Sequence, residues 1–178
     1  MIAKRCLLVL AVMGLTFLFT PNAHPASEYT VESLRGLTGV GVSVESFSSD
    51  VKDKLPFDEN QIRVDAELKL RTAGIKVLPD EERFHTPGMP FLYIRVHIIE
   101  TSDLVPDLPP VFSYDITVQL RQQVYLARNS ELLFGTTWEK SVTGTVNIKN
   151  VSLTRDRIRN FLDQFIDDYF LVNPKGGK

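Results

Sequence analysis

The stretch VFSYDITVQLRQQVYLAR, from Val111 to Arg128, constrains this chain more than any other. Phe112, Tyr114, Ile116, Val118, Leu120, Val124 and Leu126 recur at every second position, and only Gln122 breaks the series. A repeat of two belongs to a β-strand, whose successive side chains point to opposite faces. The spacing predicts a long strand with one apolar and one polar face. Such a strand needs neighbours in a sheet and a layer over its apolar side. Three further runs supply the neighbours. FLYIRVHIIET sends Leu92, Ile94, Val96 and Ile98 one way, and Phe91, Tyr93, Arg95, His97 and Ile99 the other. LLFGTTWEKSVTGTVNI follows a turn at Asn129–Glu131 and puts Phe134, Trp138 and Val142 in phase. LTGVGVSVESF alternates Val40, Val42 and Val44 against Gly41, Ser43 and Glu45. Trp138, the single tryptophan, reads as core, and a buried indole N–H needs an acceptor.

Two helical segments supply the covering layer. In FDENQIRVDAELKLRTAGIKVLP, Ile62, Val64, Ala66, Leu68 and Leu70 alternate like a strand, yet Ile62, Ala66, Leu70 and Ala73 share one face of a helix. Strong helix formers dominate. Asp58 and Gln61 have the spacing of a capping box, and Gly74 stands where a left-handed residue ends many helices. The pattern predicts a helix over Glu59–Ala73, with Val64 and Leu68 on its far side and a short strand in IKVL after it. DEERFHTPGMP and the proline-rich SDLVPDLPP read as loops. Near the end of the chain, Ile158, Phe161, Leu162, Phe165, Ile166, Tyr169 and Phe170 fill one side of a second helix. Asp156, Asn160, Asp163 and Asp167 line its far side, which reads as solvated, with Asp168 well apart from Asp163. The order is β-α-β-β-β-β-α. It predicts an α+β fold: a two-layer α/β sandwich of a mostly antiparallel sheet with two helices on one face.

The amino terminus reads as a signal peptide over residues 1–26. Lys4 and Arg5 precede an uncharged, mostly apolar run from Cys6 to Phe19, and small residues follow, with cleavage expected at Ala23 or Ala26. The run is short of the roughly 20 residues that cross a bilayer. Residues 27–178 are then a single domain with a frayed tail at 174–178, and no transmembrane segment remains after cleavage. The expected location is the periplasm. Cys6 is the only cysteine, so the processed chain has no disulfide, cysteine nucleophile or thiolate ligand. It also does not look like a site of lipid attachment. Of 20 basic and 22 acidic residues the processed chain loses Lys4 and Arg5, so it is mildly acidic and carries no basic stripe for nucleic acid.

Catalytic patterns are scarce. No GxxxxGK or GxGxxG phosphate cradle occurs, and Gly39–Gly41 is strand. His85 lies near Asp80, Glu81 and Glu82, but no His-x-x-x-His spacing supports a metal. No catalytic, cofactor-binding or metal-ligating residue is assigned, and no cofactor is expected. The informative surface is the second face of the sheet. Two helices cover one side, so the other stays open and polar. Tyr93, Arg95, His97, Asp115, Gln119 and Arg121 on that face form a candidate binding platform, able to grip a protein edge, a glycan or a lipid headgroup.

The GVGVSVE first strand, the helix ending LKLRTAGIKVL, the three long strands and the terminal amphipathic helix together resemble a group of small exported bacterial α/β-sandwich domains. The group includes the lipopolysaccharide-assembly lipoprotein, the auxiliary lipoproteins of ABC transporters and the amino-terminal domain of the Tol translocation protein. The resemblance covers most of the processed chain and lies in element order rather than in a functional motif. It implies a non-catalytic binding or assembly domain of the cell envelope. Those lipoproteins carry a lipid-attachment cysteine after the signal and this chain does not. Two alternatives stand beside that reading: a small periplasmic hydrolase using His97 and Asp115, and a structural subunit that oligomerises through an edge strand.

Overall fold

The computed structural model describes residues 28–48, 52–101 and 111–174. The expected signal peptide, the SDLVPDLPP loop and the last residues of the tail lie outside them. Helix α1 (Glu28–Glu32) precedes strand β1 (Gly41–Val44). Helix α2 (Glu59–Ala73) and the short α3 (Asp80–Arg83) follow. Strands β2 (Phe91–Glu100), β3 (Val111–Tyr125) and β4 (Leu132–Asn147) come next, then a 3-10 turn (Ile148–Asn150) and helix α4 (Leu153–Val172).

The strands form one sheet in the order β1-β2-β3-β4. β1 runs parallel to β2, and the other neighbours are antiparallel. The fold is α+β, with a mixed, mainly antiparallel sheet. The short strand expected at IKVL shrinks to a single parallel bridge between Val40 and Val77, closed by Val40 N to the Lys76 carbonyl and Leu78 N to the Val40 carbonyl. α1 and α3 were not expected. Each is too short for an amphipathic period to show in sequence.

α2 has the expected bounds, and its ends explain why. The Asp58 carboxylate accepts from Gln61 N at 2.7 Å, while the Gln61 side chain accepts from Asp58 N. Gly74 takes φ 91°, a left-handed conformation that costs other residues energy. Ile62, Ala66 and Leu70 are buried, and Val64 and Leu68 face outward.

The core lies between the helices and one face of the sheet. Leu92 and Ile94 from β2, Phe112, Ile116, Val118 and Leu120 from β3, and Trp138 from β4 are fully buried. They meet Ile62 and Leu70 of α2 and Leu162 and Phe165 of α4. The Trp138 and Phe165 rings meet edge to face at 5.2 Å. The indole N–H donates to the Asp168 carboxylate at 2.8 Å, so Asp168 serves the core. Asp163 is paired with Lys69 of α2 at 2.6 Å. Asp65 of α2 accepts from Arg155 at 2.7 Å and Arg159 at 3.1 Å, and the Arg155 hydrogen bond holds its carboxyl below the usual range. The acidic side of α4 is therefore partly pinned to α2 and the core, where a wholly solvated side was expected. At the end of α4, Asn173 accepts from Gly36 N and donates to the Leu34 carbonyl, tying the amino-terminal segment down.

One feature changes the phase of β4. Leu120 pairs with Trp138, but Arg121 pairs with Thr136, leaving Thr137 as an inserted bulge residue. Beyond it, every side chain of β4 points opposite to the naive alternation. Phe134 was expected in the core with Trp138; instead it lies opposite Gln123 on the open face and is half exposed. Gln122, the interruption in the apolar series of β3, explains itself here. Its amide donates to the Thr137 hydroxyl at 3.0 Å and the Ser33 carbonyl at 3.2 Å, satisfying groups at the bulge.

Candidate polar binding face

The face of the sheet away from α2 and α4 carries the six candidate residues, with Arg83 of α3 bordering it over Phe91, and strand register decides which of them meet. Phe91, Tyr93, Arg95 and His97 of β2 lie opposite Arg121, Gln119, Thr117 and Asp115 of β3. Across the next boundary, Asp115, Thr117 and Gln119 lie opposite Thr143, Ser141 and Glu139 of β4.

Two polar networks result. The first runs from the residue after β1 across β2 and β3 to β4. The Tyr93 hydroxyl donates to Glu45, just past the end of β1, at 2.7 Å. The Arg121 guanidinium lies over the Tyr93 ring, 4.3 Å from its centroid. Arg121 Nε donates to Gln119 Oε1 at 3.0 Å, and Gln119 Nε2 donates to Glu139 at 2.6 Å. Each group orients the next: Glu139 holds the Gln119 amide so that its oxygen faces Arg121. The Glu45 carboxylate, by accepting a hydrogen bond from the neutral phenol, pushes Tyr93 above its ordinary pKa.

The second network centres on Asp115. Its carboxylate accepts from Arg95 Nη2 at 2.9 Å and from the Thr143 hydroxyl at 3.0 Å, and the Thr117 hydroxyl stands at 3.5 Å. Arg95 also reaches the Thr117 hydroxyl at 3.4 Å. Thr117 is buried although it sits on the open face, because these side chains close over it. Aspartate is unusual inside a strand, and this ring of donors accounts for it.

Next to that network is an open cleft of about 420 Å³, lined by Glu45, Ser46, Ser48, Arg95, His97 and Asp115. His97 is the backbone partner of Asp115, yet the donors bonded to Asp115 are Arg95, Thr117 and Thr143. Among the described residues, no group of three or more His, Asp or Glu side chains is placed to hold a metal ion. No described helix is long and apolar enough to cross a membrane.

The structure thus joins Tyr93, Gln119 and Arg121 in one network and Arg95 with Asp115 in another, and sets His97 in the cleft. Glu45, Glu139, Thr117 and Thr143 complete both networks without having been singled out. Alternation placed Glu45, Glu139 and Thr117 on this face, but only the register shows which partner each one reaches.

No protein-family model matches the chain, and no curated protein matches it. Among solved structures it is similar to a hypothetical protein from Chlamydia trachomatis, at 11% identity and a TM-score of 0.40, covering 74% of this chain and 97% of that one. It is also similar to a minor lipoprotein from Acinetobacter baumannii, at 12% identity and a TM-score of 0.36, covering 74% of this chain and 92% of that one.

Proposed function

We propose that this chain is an exported, non-catalytic accessory domain of the cell envelope that uses the open face of its sheet to bind a polar partner. Residues 1–26 act as a cleaved signal peptide, and residues 27–178 work in the periplasm without lipidation. The observation that carries the reading is the state of Tyr93, Arg95, Asp115, Gln119 and Arg121. They lie uncovered by any described helix, yet each is already held by its neighbours. Side chains fixed before binding lose little freedom when a partner arrives. Bonding Asp115 to Arg95 and two hydroxyls gives it the role of positioning a guanidinium, which suits recognition rather than proton transfer. A protein edge or a glycan hydroxyl array fits a flat face of this kind.

Two measurements test the proposal. Osmotic shock of a bacterium expressing the full chain should release a processed form that starts near Ala23 or Ala26. Retention of the unprocessed chain in the cytoplasm would defeat the exported part. Photo-crosslinking from Thr143 in intact cells should capture an envelope component, and Arg95→Glu with Arg121→Glu should abolish the capture. An unchanged capture in the double variant, or no capture by the wild type, would remove the face from the binding role.

A further inference from the structure

The β3–β4 ribbon runs on past the rest of the sheet. Pairing with β2 ends at Arg121, whereas pairing between β3 and β4 continues to Tyr125 and Leu132. A two-stranded ribbon has little apolar shelter of its own, yet this one is rich in large apolar side chains. Tyr125 is 73% exposed, Phe134 50% and Leu132 45%. All three are on the open face: Tyr125 by the regular alternation of β3, and Leu132 and Phe134 because the bulge at Thr137 has reversed the phase of β4. The Phe134 ring reaches Phe91 at 5.9 Å, so the apolar surface continues onto the body of the sheet. Leu133, on the opposite side of the ribbon, is 38% exposed. Water meets this tip from both sides.

The charges around the tip favour one kind of partner. Arg121 is stacked on Tyr93 and held through Nε, which leaves its two terminal amino groups without a carboxylate among the described residues. Arg128 stands exposed at the turn with no ion pair among them either. Arg83 is bonded to Asp80, and its guanidinium lies 4.5 Å from the Phe84 ring and 5.1 Å from the Phe91 ring. Glu131 is the acidic residue of the turn. Aromatic and leucine side chains next to arginines free of carboxylates suit the headgroup layer of a membrane. There, rings settle between water and acyl chains, and guanidinium groups meet phosphate.

We propose that the β3–β4 tip docks on the anionic surface of a phospholipid bilayer. Tyr125, Leu132 and Phe134 enter the interface, and Arg121 and Arg128 meet the lipid phosphates. The tip belongs to the open face, so the proposal extends the reading of that face as the binding side; Arg95 and Asp115 lie further along it and take no part.

The test is sedimentation of the chain from Ser27, which holds every described residue, with vesicles of phosphatidylglycerol and phosphatidylcholine or of phosphatidylcholine alone. The wild type should pellet with the anionic vesicles and much less with the neutral ones, and salt should weaken it. Leu132→Ser with Phe134→Ser, and separately Arg121→Gln with Arg128→Gln, should each reduce binding about tenfold or more. Circular dichroism should show all variants folded. Arg95→Glu should leave vesicle binding intact, which separates this proposal from the polar-partner reading. Equal binding to neutral vesicles, unchanged binding by either double variant, or competition by free glycerol phosphate as effective as the vesicles would overturn it. So would an absence of vesicle binding together with self-association that Leu132→Ser with Phe134→Ser abolishes; a second copy of the chain would then be the occupant of the tip.

Discussion

Leu120 and Arg121 are consecutive in β3 and live on opposite sides of one sheet. Leu120 is fully buried among Trp138, Leu92 and the helices, whereas Arg121 lies across Tyr93 on the uncovered side. The helix side is held by apolar burial, worth about 1.5–3 kcal/mol for each large side chain. The open side is held by hydrogen bonds and ion pairs in water, where an exposed pair contributes roughly 0–1 kcal/mol. The first face keeps the protein folded. The second can change its chemistry with little effect on folding, so it is the natural place for recognition.

Substitutions can break or sharpen that contrast. Phe165→Ala removes a fully buried ring from beneath Trp138 and should destabilise the protein by roughly 3–5 kcal/mol. A urea midpoint near that of wild type would show that the helix side is not the main support. Asp168→Ala leaves the Trp138 N–H without its acceptor and should cost about 1–3 kcal/mol. Asp168→Asn, which keeps a carbonyl oxygen, should cost less, and a shift in tryptophan emission should accompany the loss.

Asp65 joins the two helices and adds a pH dependence. Arg155 holds its folded-state pKa below the unfolded value. Its contribution is therefore present above the unfolded pKa, about 3.9, and fades as pH falls through the folded value. Asp65→Asn should be less stable than wild type at neutral pH, with the gap closing in strong acid. A constant gap down to low pH would contradict the ion pair. The smallest effect belongs to the open face. Arg95→Ala breaks a half-exposed pair with Asp115 and should change stability by at most about 1 kcal/mol. A larger loss would mean that the open face also supports the fold.

What could be read without the structure followed from local chemistry. Asp58, Gln61 and Gly74 mark the ends of α2 because a cap and a left-handed residue act within a few positions of themselves. Alternation likewise placed Tyr93, Arg95, His97, Asp115, Gln119 and Arg121 on one face, since period two needs no knowledge of partners. Pairing was the hidden part. Asp168 meets Trp138 across 30 positions, and Tyr93 meets Glu45 across 48. Nothing local in the sequence encodes such distances. Thr137 was harder still, because an inserted residue is visible only against the strand it faces. Gln122, out of pattern in an apolar series, was its one trace.

Thr137 also has an evolutionary consequence. A bulge is an insertion of one residue, so one in-frame codon separates two versions of this hairpin. Inserting one residue into β3 between Leu120 and Arg121, opposite Thr137, while Leu120 and Trp138 stay paired would turn Tyr125, Leu132 and Phe134 to the opposite side and bring Leu133 outward. The composition of the tip would hardly change, yet its greasy side would be exchanged for its plainer one. A lineage could in this way gain or lose a sticky surface without altering a single side chain in it.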